Sequence, residues 1–400
     1  MALPRVPNST EEARVVGALE KLLARFPDPA IADRDAFLRA RYDLGLGWVQ
    51  FESGFGGLGV AASWQRVVES RLRPLRAPTP GSGDFVGMHQ AAASINAVGT
   101  HEQKARFLPA IFRGAERWCQ LFSEPGAGSD LAGLSTMAVR DGEEWVVQGQ
   151  KVWTSGARGA RWAILVARTD PDVPKHRGLT FFVCDMQLPG IEIRPLRQAD
   201  GAAHFNEVFL DGVRLPDELR LGDPGQGWAI SLVGLHTERE GVGEVTQTPI
   251  DDVLAEWSRA TVAPALADVE RQRVVGAWMD ARLLELSNER IRAGQGRAGA
   301  TPLGSLQKIA SAAANQGTSS LLVDLMGPAG QVGFDYDAER RDDGAAVDPP
   351  PSMQVVRSRA NSIEGGTDEI QRNIIGEQVL GLPGDVRVDK AVPWKEVRRS

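Results

Sequence analysis

Residues 120–134 read Gln-Leu-Phe-Ser-Glu-Pro-Gly-Ala-Gly-Ser-Asp-Leu-Ala-Gly-Leu, and no other stretch points so directly to a ligand. Gly126, Gly128 and Gly133 surround small polar residues just ahead of a strand-rich region. Glycine lets the main chain approach a ligand closely. Exposed N–H groups beside serine hydroxyls suit an electron-rich ring or a phosphate. An ordinary glycine-rich loop has the same composition, so chemistry alone leaves both readings open. A second glycine motif, Gly54-Phe-Gly-Gly-Leu-Gly59, matches GxGxxG. A dinucleotide role would need a strand before it, a βαβ unit around it and an acid about 20 residues on. The surrounding chain reads helical and positions 71–83 hold no Asp or Glu, so a tight turn between two helices is expected. The 5 histidines form no cluster, which leaves Asp or Glu for acid–base work. Cys119 and Cys184 follow no metal-ligand or CxxC spacing and read as buried small hydrophobes.

The elements that must hold these residues change period along the chain. Val15, Val16, Leu19, Leu22, Leu23 and Phe26 give 11–26 the spacing of an amphipathic helix. Residues 77–84 read as a loop, and 101–117 as short helix broken at Pro109. The middle third holds short Val-, Ile-, Phe- and Trp-rich runs separated by Gly, Pro, Asp and Asn: 143–156, 162–169, 179–186, 191–196 and 206–215. Such spacing predicts an antiparallel barrel or sandwich. The absence of helical crossovers argues against a doubly wound parallel sheet. From Gly225 the helical period returns, with helices expected over 227–240, 262–293, 304–326 and 367–380, and a stop at Gly327-Pro328. Residues 294–304 and 342–352 read as loops. The expected architecture is α+β and multidomain: a helical N-terminal domain (1–118), a middle β-barrel (119–222) and a C-terminal four-helix bundle (223–400).

Composition bounds the partners. The chain has 400 residues, 42% of them hydrophobic and 24% charged, the balance of a globular protein of two or three domains. A formal net charge of -7 gives no overall draw toward nucleic acid or anionic lipid. No run approaches about 18 continuous apolar residues, so no membrane span and a cytoplasmic location are expected.

Ser123-Glu-Pro-Gly-Ala-Gly-Ser-Asp130 resembles the signature of the acyl-CoA dehydrogenase family. Gly99-Thr-His-Glu-Gln-Lys104 with Leu108-Pro109 resembles the family's approach to that signature, and Gly149-Gln-Lys-Val-Trp-Thr-Ser-Gly156 its flavin-contacting strand. Phe205-Asn-Glu-Val-Phe-Leu-Asp-Gly-Val-Arg214 and Gly225-Gln-Gly-Trp228 resemble the exit from the barrel, and Gly365-Gly-Thr-Asp-Glu-Ile-Gln-Arg-Asn-Ile-Ile375 the C-terminal signature. The resemblance runs in order from about residue 43 to 383. It implies FAD as cofactor and α,β-dehydrogenation of an acyl-CoA thioester: a carboxylate takes the α proton and flavin N5 the β hydride. Phe122, Ser123, Gly128, Trp153, Thr154 and Ser155 would contact the flavin. Ser129 would serve flavin and CoA chain, and Thr367 and Glu369 would lie near the diphosphate.

Two departures refine these expectations. The position before Gly-Thr that carries the base in many members is Gly365, which has no proton acceptor. A second branch carries its base on the helix after the barrel, in a segment ending Glu-Arg; here that is Gly234-Leu-His-Thr-Glu-Arg239. Glu238 is therefore the expected base and Glu364 the alternative. The Gly365 N–H remains a donor for the thioester oxygen, with Gly366, His236 and Arg239 as further substrate contacts. The family's Arg-x-x-Phe-Gly stretch, which reaches a neighbouring subunit's diphosphate, does not occur between 270 and 300. Gln272 falls near a later glutamine of that region, and Asp324 stands where the adenine-side pattern has Gln, an acid that would repel phosphate. The expected electron acceptor is an electron-transferring flavoprotein, and the expected assembly a homodimer or homotetramer, with a heterotetramer as the variant. Alternatives are a flavin oxidase or monooxygenase on a non-CoA substrate, and a non-catalytic partner subunit.

Overall fold

The structure is a computed structural model that describes residues 9–81, 84–199, 201–235, 250–259, 264–294, 303–332, 350–386 and 388–397. The chain forms two compact units. The first is Met1–Arg194 with Phe205–Gly234 and Asp389–Ser400; the second is Pro195–His204 with Leu235–Val388. The helical N-terminal region and the sheet thus share one unit. Among the described residues, no helix is long and apolar enough to cross a membrane.

The first unit opens with α1 (Ser9–Arg25), α2 (Arg34–Asp43), α3 (Gln65–Leu72), α4 (Ala92–Val98) and α5 (His101–Arg113). Thr100 and Gln103 form a reciprocal capping box that starts α5, satisfying two N–H groups otherwise left open. The helix does not break at Pro109; it continues to Arg113 and ends at Gly114 in the left-handed conformation. Proline deletes one donor but leaves its carbonyl, which accepts from Arg113 Nε. Gly54–Gly59 is the expected turn between α2 and α3. Its loop folds on itself through bonds from Gly47 and Trp48 N–H to Gly56 O and from Gly59 N–H to Phe51 O. A side chain at Gly57 would meet Phe51 O at 2.0 Å, so this glycine serves packing.

The strands are β1 (Trp118–Leu121), β2 (Met137–Asp141), β3 (Glu144–Ser155), β4 (Trp162–Arg168), β5 (Leu179–Asp185), β6 (Ile191–Leu196), β7 (Phe205–Pro216) and β8 (Arg220–Leu221). They form one sheet in the order β6-β7-β3-β2-β4-β5-β8, with β1 paired to β4. The sheet is mixed rather than antiparallel throughout: β4 runs parallel to β1 and to β2. The five long strands fall where the sequence predicts them. Missed are β1, β2 and β8: the first and last are too short to show alternation, and β2 ends in exposed Arg140 and Asp141. Trp145, Val147, Phe182, Cys184, Val208 and Leu210 lie in one buried cluster that holds the sheet. Both cysteines are free and buried, as expected.

Residues 227–235 form α6. The second unit holds α7 (Ile250–Arg259), α8 (Pro264–Gly294), α9 (Leu303–Met326), α10 (Pro351–Ser358) and α11 (Asp368–Ile374). Helix α9 packs against α7, α8, α10 and α11. Its buried Ser311, Ala312, Ala314, Thr318 and Ser319 are small enough to let neighbours approach. The helix stops at Gly327-Pro328 as predicted. The expected loop over 342–352 is corrected at its end, because Pro351 starts α10, a position where a missing N–H costs nothing. The loop expected over 294–304 lies almost wholly outside the described residues.

Candidate active site

In the first unit, β1 delivers the Ser123–Asp130 signature alongside β3. Phe122 is buried with its ring edge-on to Phe181 at 5.8 Å. Glu124 and Ala127 exchange main-chain hydrogen bonds of 3.0 Å across Pro125-Gly126, closing a tight turn. The Glu124 carboxylate turns inward, where it accepts from Ser135 and Thr136 N–H and from Lys151 Nζ. Lys151 is 0% exposed, and its ammonium donates to Phe122 O, Val166 O and Glu124, which uses all three of its protons. Burial pushes the Glu124 carboxyl up, but the Lys151 charge and the hydrogen bonds outweigh it and hold it below the usual range. Burial also draws the Lys151 ammonium below its usual range, with Glu124 opposing. The sequence reading missed this pair; a Glu in the signature and a Lys in the flavin-strand motif were its only signal.

Pro125, Gly126, Gly128, Ser129 and Asp130 stay exposed. A side chain built at Gly126 or Gly128 meets nothing within 4 Å, and neither has a positive φ. Their identity is not demanded by the fold, which fits close approach by a ligand.

The end of β3 lies beside this turn, because Val152 N–H donates to Ser123 O at 2.9 Å. A register shift between Lys151 and Thr154 bulges the strand. At the bulge Trp153 takes φ 61°, one of two non-glycine residues with positive φ among those described. Its side chain is 60% exposed, edge-on to Phe205 at 5.8 Å. A bulky residue at positive φ costs about 1–3 kcal/mol and clusters at ligand sites. Thr154 is 0% exposed; its carbonyl accepts from Asn206 Nδ2, and its hydroxyl has no hydrogen-bond partner among the described residues. Ser155 is exposed beside it. Phe122, Ser123, Trp153, Thr154 and Ser155 are thus gathered at one place, with an exposed aromatic face, exposed glycines and a spare hydroxyl. That donor set fits a flavin ring.

Helix α6 starts against the sheet. A side chain at Gly227 would meet Leu179 and Thr180 main chain at 2.6 Å, so glycine sets the approach. Trp228 packs edge-on to His176 at 4.9 Å, and Gly225 N–H donates to Thr180 Oγ1. His236, Glu238 and Arg239 lie outside the described residues.

In the second unit, Gly365 and Gly366 take φ of 67° and 92°, which glycine alone adopts readily. Gln371, 0% exposed, folds back so that Nε2 donates to Gly365 O at 2.9 Å. The sequence gave no hint of this brace. The Gly365 N–H makes no hydrogen bond among the described residues. The Thr367 hydroxyl caps α11 by accepting from Ile370 N–H, and Glu369 is exposed near Arg372. Glu364 lies in a bidentate pair with Arg357 and also accepts from Asn361. Gln272 is exposed on α8. Asp324 pairs with Arg273, which also pairs with Glu270, so its charge is compensated and the expected repulsion of phosphate is weakened. Among the described residues no group of His, Cys, Asp and Glu could hold a metal.

Residues 119–213 match the acyl-CoA dehydrogenase middle domain, and residues 225–380 the acyl-CoA dehydrogenase C-terminal domain. Acyl-CoA dehydrogenase FadE34 of Mycobacterium tuberculosis is 37% identical over 93% of this chain, which spans only 49% of that relative's length. Acyl-CoA dehydrogenase IpdE1 of the same organism is 34% identical, with 90% of each chain covered. Among solved structures, a steroid ACAD shares the fold with a TM-score of 0.70 at 23% identity, covering 95% of this chain and 99% of its own.

Proposed function

The chain belongs to the acyl-CoA dehydrogenase family of flavin-dependent oxidoreductases, and from that premise we propose that it desaturates a CoA thioester between its α and β carbons. The observation that carries the flavin part of this reading is Trp153, a tryptophan kept exposed at positive φ beside the signature turn. Bound there, FAD supplies the two-electron acceptor for the β hydride. Trp153 packs on the ring, Ser123, Thr154 and Ser155 offer hydroxyls, and Gly128 and Ser129 lie against the ligand. Thr367 and Glu369 would lie at the diphosphate end, where the Thr367 hydroxyl could donate its O–H proton, which the cap does not use.

Glu238 removes the α proton. The α-CH of a thioester is a weak acid, so its carbonyl must be polarised by fixed donors. The Gly365 N–H supplies one, held by the Gln371 brace, with Gly366, His236 and Arg239 as further substrate contacts. The Arg357 clamp on Glu364 argues for Glu238 over Glu364, because a base committed to a guanidinium is poorly placed to accept a carbon-bound proton.

The acyl group is branched, long or bulky rather than short and straight. Support comes from the base position and from the likeness to a steroid ACAD. An electron-transferring flavoprotein takes the electrons in the cytoplasm. The assembly is a homodimer or homotetramer, or a heterotetramer with a related chain. Val275, Trp278, Met279, Leu283 and Leu286 leave an apolar stripe exposed on α8 that suits a subunit contact. Regions 1–118, 119–222 and 223–400 remain the functional division we assign.

Anaerobic incubation of FAD-loaded protein with a panel of acyl-CoAs and a dye acceptor tests the reading. The expected product is the α,β-enoyl-CoA. Oxygen consumption with hydrogen peroxide and no enoyl-CoA would replace it with an oxidase. A protein that stays colourless with added FAD would replace it with a non-catalytic subunit.

A further inference from the structure

The segment Asp389–Val397 belongs to the first unit, and its contacts converge on the stretch that follows the signature turn. Main-chain bonds run from Trp394 N–H to Val173 O and from Lys395 N–H to Pro171 O, laying this segment along the loop between β4 and β5. Trp394 Nε1 donates to Gly133 O at 3.2 Å. Its ring lies 4.1 Å from the Arg168 guanidinium carbon.

Arg168 is the centre of this arrangement. It is 0% exposed. Its guanidinium donates to the carbonyls of Ala132, Leu134 and Lys175. A buried cation gains from an aromatic face, and the Trp394 ring supplies one. Lys175 extends the same grip: its ammonium bridges Asp130, the last residue of the signature, and Asp389. The exposed ligand stretch 125–130 is therefore fixed at both ends, by the Lys151–Glu124 pair on one side and by the Arg168–Trp394–Lys175 group on the other. The same loop carries His176 against Trp228, at the start of α6.

We propose that Trp394 is a positioning residue: capping Arg168, it clasps residues 130–134 so that Gly126–Asp130 is held ready for flavin and CoA. The ligand part of this inference rests on the proposed function, whereas the clasp itself rests on the contacts alone. The clasp is tested in Trp394→Ala and Trp394→Phe by hydrogen exchange of the full chain. The Ala variant should exchange at least about tenfold faster over 124–136 and 170–178, with β5 and β7 unchanged. The Phe variant, which keeps a ring over Arg168 but loses the N–H, should fall between Ala and wild type. For the Ala variant the KM for CoA thioester should rise about tenfold with kcat at saturation within about twofold, the pattern of lost uniform binding. FAD affinity, read by flavin fluorescence, should fall in the order wild type, Phe, Ala. Unchanged exchange over 124–136, or equal acceleration through the whole sheet, would overturn the clasp. Local acceleration with FAD and CoA affinities unaltered would overturn its ligand role. Wild-type protein that binds no FAD would instead overturn the reading of the site, and the exchange pattern would still decide the clasp.

Discussion

Replacing Lys151 by Met removes one half of a buried ion pair and leaves its partner in place. Glu124 is 8% exposed and Lys151 0%, so neither can turn to water without moving the turn or the strand. Breaking such a pair from one side costs about 3–5 kcal/mol, because an uncompensated charge stays behind. Glu124 would keep its bonds from Ser135 and Thr136 N–H, which pull the loss toward the lower end. The sign with pH follows. In the wild type, burial raises the Glu124 carboxyl, but Lys151 and the hydrogen bonds hold it below the ordinary glutamate value of 4.5. Its stabilisation is then present above that value and is lost as pH falls through the lower folded pKa. Without Lys151 the balance tips to burial and the folded pKa rises, so the penalty is largest at high pH and relaxes as the carboxyl protonates. Urea denaturation followed by far-UV circular dichroism at pH 8 and pH 5 measures both. Lys151→Met should lose about 3–5 kcal/mol at pH 8 and clearly less at pH 5. The double variant with Glu124→Gln should recover part of the loss, since the abandoned charge is gone. A loss below about 1 kcal/mol at pH 8, or an equal loss at both pH values, would refute the reasoning.

The remaining predictions concern strain and burial. Trp153→Gly should leave stability unchanged or raise it by about 1 kcal/mol, because the ring buries little and glycine accepts its φ of 61°. The same variant should bind FAD at least about tenfold more weakly, measured by equilibrium dialysis; unaltered affinity would remove Trp153 from the site. Burial pushes the Asp84 carboxyl from 3.8 up to about 6, against the hydrogen bond from Gly87 N–H. Stability tied to this proton is therefore lost as pH rises from about 4 to about 6. Asp84→Asn should stabilise the chain above pH 6, by up to about 3 kcal/mol, and change little near pH 4. A stability profile identical to wild type would contradict the assignment.

Much of the arrangement is legible in the sequence for identifiable reasons. Strands β4 and β5 announce themselves as unbroken apolar runs because the sheet buries nearly every residue of both. The Gly327-Pro328 stop is a local signal with a local cause. The interior of the site is less legible because it depends on contacts far apart in sequence. Lys151 reads as an ordinary strand lysine until Phe122, Glu124 and Val166 close around it. Gln371 reads as a helix residue until its side chain folds back to Gly365. Trp394 carries no motif, and its partners lie at Gly133 and Arg168. Pro109 misled for the opposite reason: the local rule is sound, but the buried neighbours Phe107, Leu108, Ala110 and Ile111 hold the helix through it.

The central claim is that a carboxylate after the barrel, and not one in the C-terminal signature, takes the α proton. Stopped-flow mixing of FAD-loaded Glu238→Gln and Glu364→Gln with the acyl-CoA that best bleaches wild-type flavin tests it most directly. The account predicts that Glu238→Gln keeps its flavin spectrum and does not bleach, whereas Glu364→Gln bleaches at a rate near wild type. Bleaching at the wild-type rate in Glu238→Gln, together with its loss in Glu364→Gln, would contradict it.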